Sequence, residues 1–233
     1  MKSDIQINTE LINFWNENIK ISDEEKKEIT QTPNLDYKDL APSIKLYEAI
    51  KLIKDNNYIL DYGCGNGWAS IIAKREGVSK VDAVDLGDNI IDTVKFFSKI
   101  FNTTINVFKI NDNWLKMQDG NIYDAIICSN VLDVIPQNTT KEIIKEFNRL
   151  LKEKGKLIVG LNFYMSKEEA DSRGIELLDG NKLFVNDILR LVSLSDDEWV
   201  KEFSPYFNIV NLDHFAWPNE KEEKRRLFIL EKK

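Results

Sequence analysis

Three glycines at alternate positions, Gly63, Gly65 and Gly67, follow the short apolar run Tyr58-Ile59-Leu60-Asp61-Tyr62. An amphipathic segment comes directly after them, with Trp68, Ala69, Ile71, Ile72 and Ala73 as its apolar positions. This order reads as buried strand, tight loop and helix. Glycines suit a loop whose backbone takes unusual dihedrals or lets a ligand come close. In a doubly wound sheet the first such loop lies at the carboxyl end of the central strand, where ligands bind. A dinucleotide fingerprint would be G-x-G-x-x-G. Here Trp68 stands at the third glycine position, and the glycine comes one residue early at Gly67. Asp61, two residues before Gly63, is poorly placed for a pyrophosphate and well placed for a cation.

The rest of the chain alternates in the same way. Lys80–Asp85, Ile105–Lys109, Tyr123–Asn130 and Lys156–Asn162 read as further strands, Tyr123–Asn130 apolar on both faces as a central parallel strand is. Between them lie helical patterns through Ile90, Ile91, Val94 and Phe97, and from a Thr139-x-x-Glu142 capping box through Ile143, Phe147 and Leu150. Five strands with intervening helices imply right-handed βαβ units and an α/β fold. Phe207–Leu212 and Arg226–Glu231 read as two closing strands. Three helical segments precede the first strand: one from about Thr9 to Lys20, one capped by Ser22, and one from about Pro42 to Lys54. Ser166 opens a helix by a capping box, and Lys182–Val185, Asn186-Asp187 and Ile188–Val192 read as strand, turn, strand. Ser195 caps the last helix. The expected organisation is one domain over 1–233, with a helical cap over 1–54 and an inserted lid over 163–194. Asp85, about 20 residues beyond the glycine loop, suits ribose hydroxyls or an N-cap of the next helix.

The segment Leu60-Asp61-Tyr62-Gly63-Cys64-Gly65-Asn66-Gly67 closely resembles the first motif of class I S-adenosylmethionine-dependent methyltransferases. The resemblance implies a Rossmann-like, seven-stranded, mostly parallel sheet whose last strand is antiparallel. It implies S-adenosylmethionine as cofactor and S-adenosylhomocysteine as product. Asp61, Gly63, Cys64, Gly65 and Gly67 then surround its methionine and ribose parts, and Asp85 with Leu86 takes the ribose. Asp112 matches the position that receives the adenine amino group, with Asn113 and Trp114 beside it; an ordinary surface turn is the alternative. Ser129-Asn130-Val131-Leu132-Asp133 resembles the family's fourth motif, with Asp133 where small-molecule enzymes commonly carry a histidine. The Asn/Asp-Pro-Pro-aromatic run of base-modifying enzymes is missing, which favours a small acceptor methylated on O, N or S by in-line displacement.

Such a reaction mainly needs alignment and exclusion of water. Asp133 and His214, the only histidine, are the candidate bases, each also readable as structural. Trp15, Tyr37, Asn162, Tyr164, Arg190 and Trp217 are candidate acceptor contacts, and Arg190 is either an anion holder or an exposed strand arginine. No acidic triad suggests a metal. A nicotinamide-dependent oxidoreductase and a non-catalytic cofactor-binding protein remain as alternatives.

A net charge of -7 gives no broad attraction to phosphate backbones, so nucleic acid is not an expected partner. Cys64 and Cys128 have no metal-ligand spacing and read as small buried residues. Met1–Glu10 lacks the apolar core of a signal peptide, and no apolar run reaches membrane-spanning length. A cytoplasmic protein without a membrane partner is expected.

Overall fold

The computed structural model describes residues 2–233. Helices α1 (Asp4–Asn18), α2 (Asp23–Gln31) and α3 (Ile44–Lys51) lead into β1 (Tyr58–Tyr62) and α4 (Trp68–Glu76). Then follow β2 (Lys80–Asp85), α5 (Asp88–Ile100), β3 (Asn106–Lys109), α6 (Trp114–Met117), β4 (Tyr123–Ser129), α7 (Gln137–Leu150) and β5 (Leu151–Phe163). The last part holds α8 (Lys167–Ser172), β6 (Lys182–Val185), β7 (Ile188–Val192), α9 (Asp196–Phe203), β8 (Phe207–Phe215) and β9 (Arg225–Lys232). Seven strands form one sheet in the order β3-β2-β1-β4-β5-β9-β8. β1 pairs in parallel with β2 and β4, and β9 runs antiparallel to both β5 and β8. The topological switch therefore lies between β1 and β4, and their carboxyl ends open one crevice.

Alternation along the strands builds a core on each face. Leu60 and Ile126 face Phe147, Trp199 and Phe203 on one side. Ile59, Ala125 and Ile127 face Ile50 and Ile72 on the other. Cys64 and Cys128 are buried and free, as the sequence implies.

Helix starts differ from expectation where local chemistry offers a better cap. α1 begins at Asp4, because Ser3 and Gln6 form a reciprocal capping box upstream of Thr9. α7 begins at Gln137, not at the Thr139 box. Pro136, with φ fixed at -56°, turns the chain into the helix first, and the Thr140 hydroxyl donates to Leu132 O at 2.7 Å. Ser166 caps α8 by accepting from Glu169 N, without the reciprocal half of the box. Ser22 and Ser195 form full boxes as read. Asn186 and Asp187, with φ of 51° and 62°, make the hairpin turn between β6 and β7. Both central residues are left-handed, as a two-residue turn matching strand twist needs.

Candidate functional site

The loop after β1 is shaped by three left-handed glycines: φ is 67° at Gly63, 54° at Gly65 and 81° at Gly67. A Cβ on Gly63 would lie 2.4 Å from Val131 Cγ2, and one on Gly67 would lie 2.8 Å from Val94 Cγ1. The loop is pinned across the sheet, where Gly63 N and Cys64 N both donate to Val84 O, at 3.0 and 3.1 Å. Asp85 completes the hold. Its carboxylate accepts from Gly65 N at 3.1 Å and Leu86 N at 2.7 Å. Burial raises the Asp85 carboxyl from its ordinary value, and the N–H groups of Gly65, Leu86 and Gly87 pull it back.

Above this loop lies a cleft of about 1600 Å³. Single-ligand pockets run to about 300–1,000 Å³, so this one has room for two ligands. Gly63, Cys64, Gly65, Asp85, Leu86, Asp112, Asn113, Ser129 and Asn130 line it, as do Trp15, Asn162, Arg190 and Trp217. Two buried polar atoms on its wall, Asn130 Oδ1 and Trp217 Nε1, have no hydrogen-bond partner among the described residues. Asn130 itself is left-handed, φ 55°, a conformation that asparagine tolerates better than most residues.

Seven residues singled out from the sequence lie elsewhere, each for a visible reason. Asp61 turns behind the loop, where its Oδ2 accepts from Ser70 Oγ at 2.6 Å and Ser70 N at 3.1 Å. Gly67 faces Val94, so its lack of a side chain serves helix packing. Trp114, half-buried at the start of α6, packs against the core. Asp133 is fully buried; its Oδ2 accepts from Asn162 N at 2.6 Å, which joins the loop after β4 to the end of β5. His214 and Tyr164 border a separate small depression, with His214 Nε2 3.0 Å from Asp196 Oδ2. Tyr37 donates to Glu76 Oε1 at 2.8 Å, at the C-terminal end of α4. Neither candidate base touches the cleft.

The cleft also holds residues the sequence did not single out. Arg225 is buried on β9, grips Glu220 through Nε and Nη2 at 2.7–3.0 Å, and lies 3.4 Å from the Trp217 ring centroid. No motif or spacing marks it. α1 reaches over the start of α5 beside the glycine loop: Asn16 Oδ1 accepts from Asn89 N at 2.8 Å, and the Thr93 hydroxyl donates to Ile19 O at 3.0 Å. Gly87 makes room for this, since a Cβ there would meet Asn16 Oδ1 at 2.6 Å. Among the described residues no group of three or more His, Cys, Asp or Glu is placed to hold a metal ion.

Burial, with a smaller push from the Asp85 charge, lifts the Asp61 carboxyl from 3.8 to about 7. The folded chain therefore keeps this proton over a range where the unfolded chain has lost it. Its contribution to stability is complete below about pH 4 and is lost as pH rises to about 7. Asp61→Asn keeps an acceptor for Ser70 and removes the titration. Urea midpoints at pH 5 and pH 7.5 are expected to converge in the variant relative to the wild type. An unchanged pH difference counts against the assignment.

Comparison with known proteins follows this geometry. The sequence profile of a methyltransferase domain matches residues 37–222, beginning beyond α1 and α2. Uncharacterized protein YmfD of Escherichia coli K12 is 33% identical over 138 residues, 54% of this chain and 59% of that one. Ribosomal protein L11 methyltransferase of Thermotoga neapolitana is 28% identical over 133 residues, 55% of this chain and 47% of that one. The chain thus spans roughly half the length of these curated relatives. Among solved structures, the PH0226 protein of Pyrococcus horikoshii OT3 superposes with a TM-score of 0.67 at 18% identity, covering 82% of this chain and 89% of that one. Magnesium protoporphyrin IX methyltransferase from Synechocystis PCC 6803, crystallised with bound SAH, gives 0.66 at 14% identity and covers 97% and 100%. Both share the fold.

Proposed function

The chain belongs to the methyltransferase-domain family, and from that premise we propose that it moves a methyl group from S-adenosylmethionine to O, N or S of a small-molecule acceptor. The observation that carries this reading is the glycine loop tied to Asp85 at the floor of a two-ligand cleft. The residues fit the cofactor. A carboxylate offers about four lone-pair sites, so Asp85 keeps capacity for ribose hydroxyls beside its backbone donors. Asn130 Oδ1 is a free acceptor in the same cleft. Asp112 and Asn113, on the loop after β3, line the same cleft and would take the adenine amino group, with Leu86 and Ile110 as apolar walls.

The bound cofactor would supply a methyl already activated on a sulfonium. The chain's own task is alignment and exclusion of water. Left-handed Gly63 and Gly65 let backbone approach the ligand without side chains in between. Leu11, Ile12, Trp15 and Ile19 of α1 and its end, with Leu183 and Leu191 of the hairpin, wall the acceptor side in apolar surface. Asp133 positions this side indirectly, by fixing Asn162. One relative named above is a ribosomal protein methyltransferase by its name. The acceptor side here is walled by α1 and the hairpin, which favours a small acceptor over a folded protein. No helix among the described residues is long and apolar enough to cross a membrane; we place the reaction in the cytoplasm.

Calorimetric titration with S-adenosylmethionine, S-adenosylhomocysteine and NADH tests the cofactor. Micromolar binding of the first two is expected, weakened at least about tenfold, or about 1.4 kcal/mol, by Asp85→Asn. Binding of NADH alone would overturn the reading.

A further inference from the structure

We propose that Arg190 is the recognition residue for a carboxylate on the acceptor, and that the acceptor is a small amphipathic monocarboxylate held by this group while another of its atoms faces the glycine loop. The inference rests on the methyl-transfer reading for which ligand fills the acceptor side.

Four basic side chains line the cleft: Lys20, Lys116, Arg190 and Arg225. Arg225 is saturated by Glu220 and Asn162. Lys116 stands 3.6 Å from Glu142, and Lys20 is exposed at the rim. Arg190, half-buried on β7, makes neither an ion pair nor a hydrogen bond to the described residues. Its guanidinium sits in the corner between two nearly perpendicular rings, 4.6 Å from the Phe14 centroid and 5.2 Å from that of Trp15. Aromatic contact of this kind orients a guanidinium and leaves its N–H edge free. That edge is a planar fork of donors, matched to a carboxylate in two parallel hydrogen bonds.

The surroundings define the rest of the ligand. Leu11, Trp15, Leu183 and Leu191 line the same cleft and call for an apolar body. With Lys20 exposed at the rim, Arg190 is the one half-buried open cation among the described residues of the cleft, and it calls for a single negative charge rather than a phosphate dianion. Trp15, against Arg190, precedes by one helical turn Ile19, whose Cδ1 lies 3.8 Å from the Cβ position of Gly65. Residues so spaced stand roughly 6 Å apart. The carboxylate is therefore a handle set back from the loop, and the methyl goes to another atom.

The test is titration of the full chain, saturated with S-adenosylhomocysteine, with benzoate, 3-phenylpropionate and octanoate, each against its primary amide. At least one acid is expected to bind tenfold or more tighter than its amide. Arg190→Gln is expected to abolish that preference and leave S-adenosylhomocysteine affinity unchanged. Arg190→Lys, which keeps charge without the fork, is expected to fall between. Equal binding of acid and amide, binding of no acid, or a preference retained in Arg190→Gln overturns the proposal. If S-adenosylhomocysteine fails to bind the wild type, the cofactor reading falls, and the acid–amide comparison made without it still decides the role of Arg190.

Discussion

Gly63→Ala is expected to destabilise the chain by about 3 kcal/mol and to weaken S-adenosylhomocysteine binding at least about 100-fold. Two costs combine. A left-handed backbone, φ 67° here, costs an L-residue about 1–2 kcal/mol. The new methyl would also stand 2.4 Å from Val131 Cγ2, which forces Val131 or the loop to move, an overpacking cost of about 1–3 kcal/mol. Val131 lines the cleft, so either movement deforms its wall. The two costs separate experimentally. Val131→Ala removes the colliding atom, so Gly63→Ala made in that background should cost only the backbone part. Urea unfolding of the four proteins in the cycle measures this. Strict additivity of the two substitutions would sink the steric account.

Arg226→Met is expected to cost about 3–5 kcal/mol, although the residue lies outside the cleft. Its side chain is 1% exposed, its Nη1 donates to Leu194 O at 2.8 Å, and Asp196 Oδ1 lies 3.6 Å away. Asp133, also fully buried, is its other charged neighbour. Burial pushes the Asp133 carboxyl up, while the Asn162 N–H and the Arg226 charge draw it down. Burial likewise lowers Arg226, and Asp133 and Asp196 raise it. Methionine keeps the volume but leaves Asp133 without its countercharge in the interior. The Asp133 carboxyl of the variant then rises further, so stability falls more steeply as pH climbs above about 4. Asp133→Asn alone is expected to cost less, because Asp196 Oδ1 at 3.6 Å and Leu194 O at 2.8 Å still face the guanidinium. The double variant should lose markedly less than the sum, since a buried pair replaced as a whole is often nearly neutral. Full additivity in denaturant unfolding would show that the two charges do not support each other.

Much of the fold was legible because its signals are local. The strand–loop–helix at Tyr58–Glu76, the apolar β4, the Ser22 and Ser195 boxes and the Asn186-Asp187 turn each follow from neighbours in sequence. One wall of the cleft was legible for the same reason: Gly63, Gly65, Asp85, Asn113 and Asn130 all sit at or just beyond strand ends, and a strand's carboxyl end is where this topology opens. Side-chain direction was less legible. Asp61 and Gly65 belong to one motif, yet strand alternation and the Ser70 hydroxyl turn the first inward, while the second reaches the cleft. Asp133 and His214 carry the chemistry of bases, but burial at the β4–β5 junction and a place on β8 beside Asp196 keep both off the cleft wall.

By itself, the sequence determined the order of elements, the doubly wound sheet and the left-handed glycine loop, because periodicity, glycine conformation and caps act within a few residues. Only the tertiary structure decided which side chains share the cleft. Arg190 and Phe14 are distant in the chain, as are Arg225 and Asn162, and they meet only because the hairpin folds back onto α1 and β9 inserts beside β5. Those contacts depend on long-range packing, and no local pattern encodes where such a packing places a side chain.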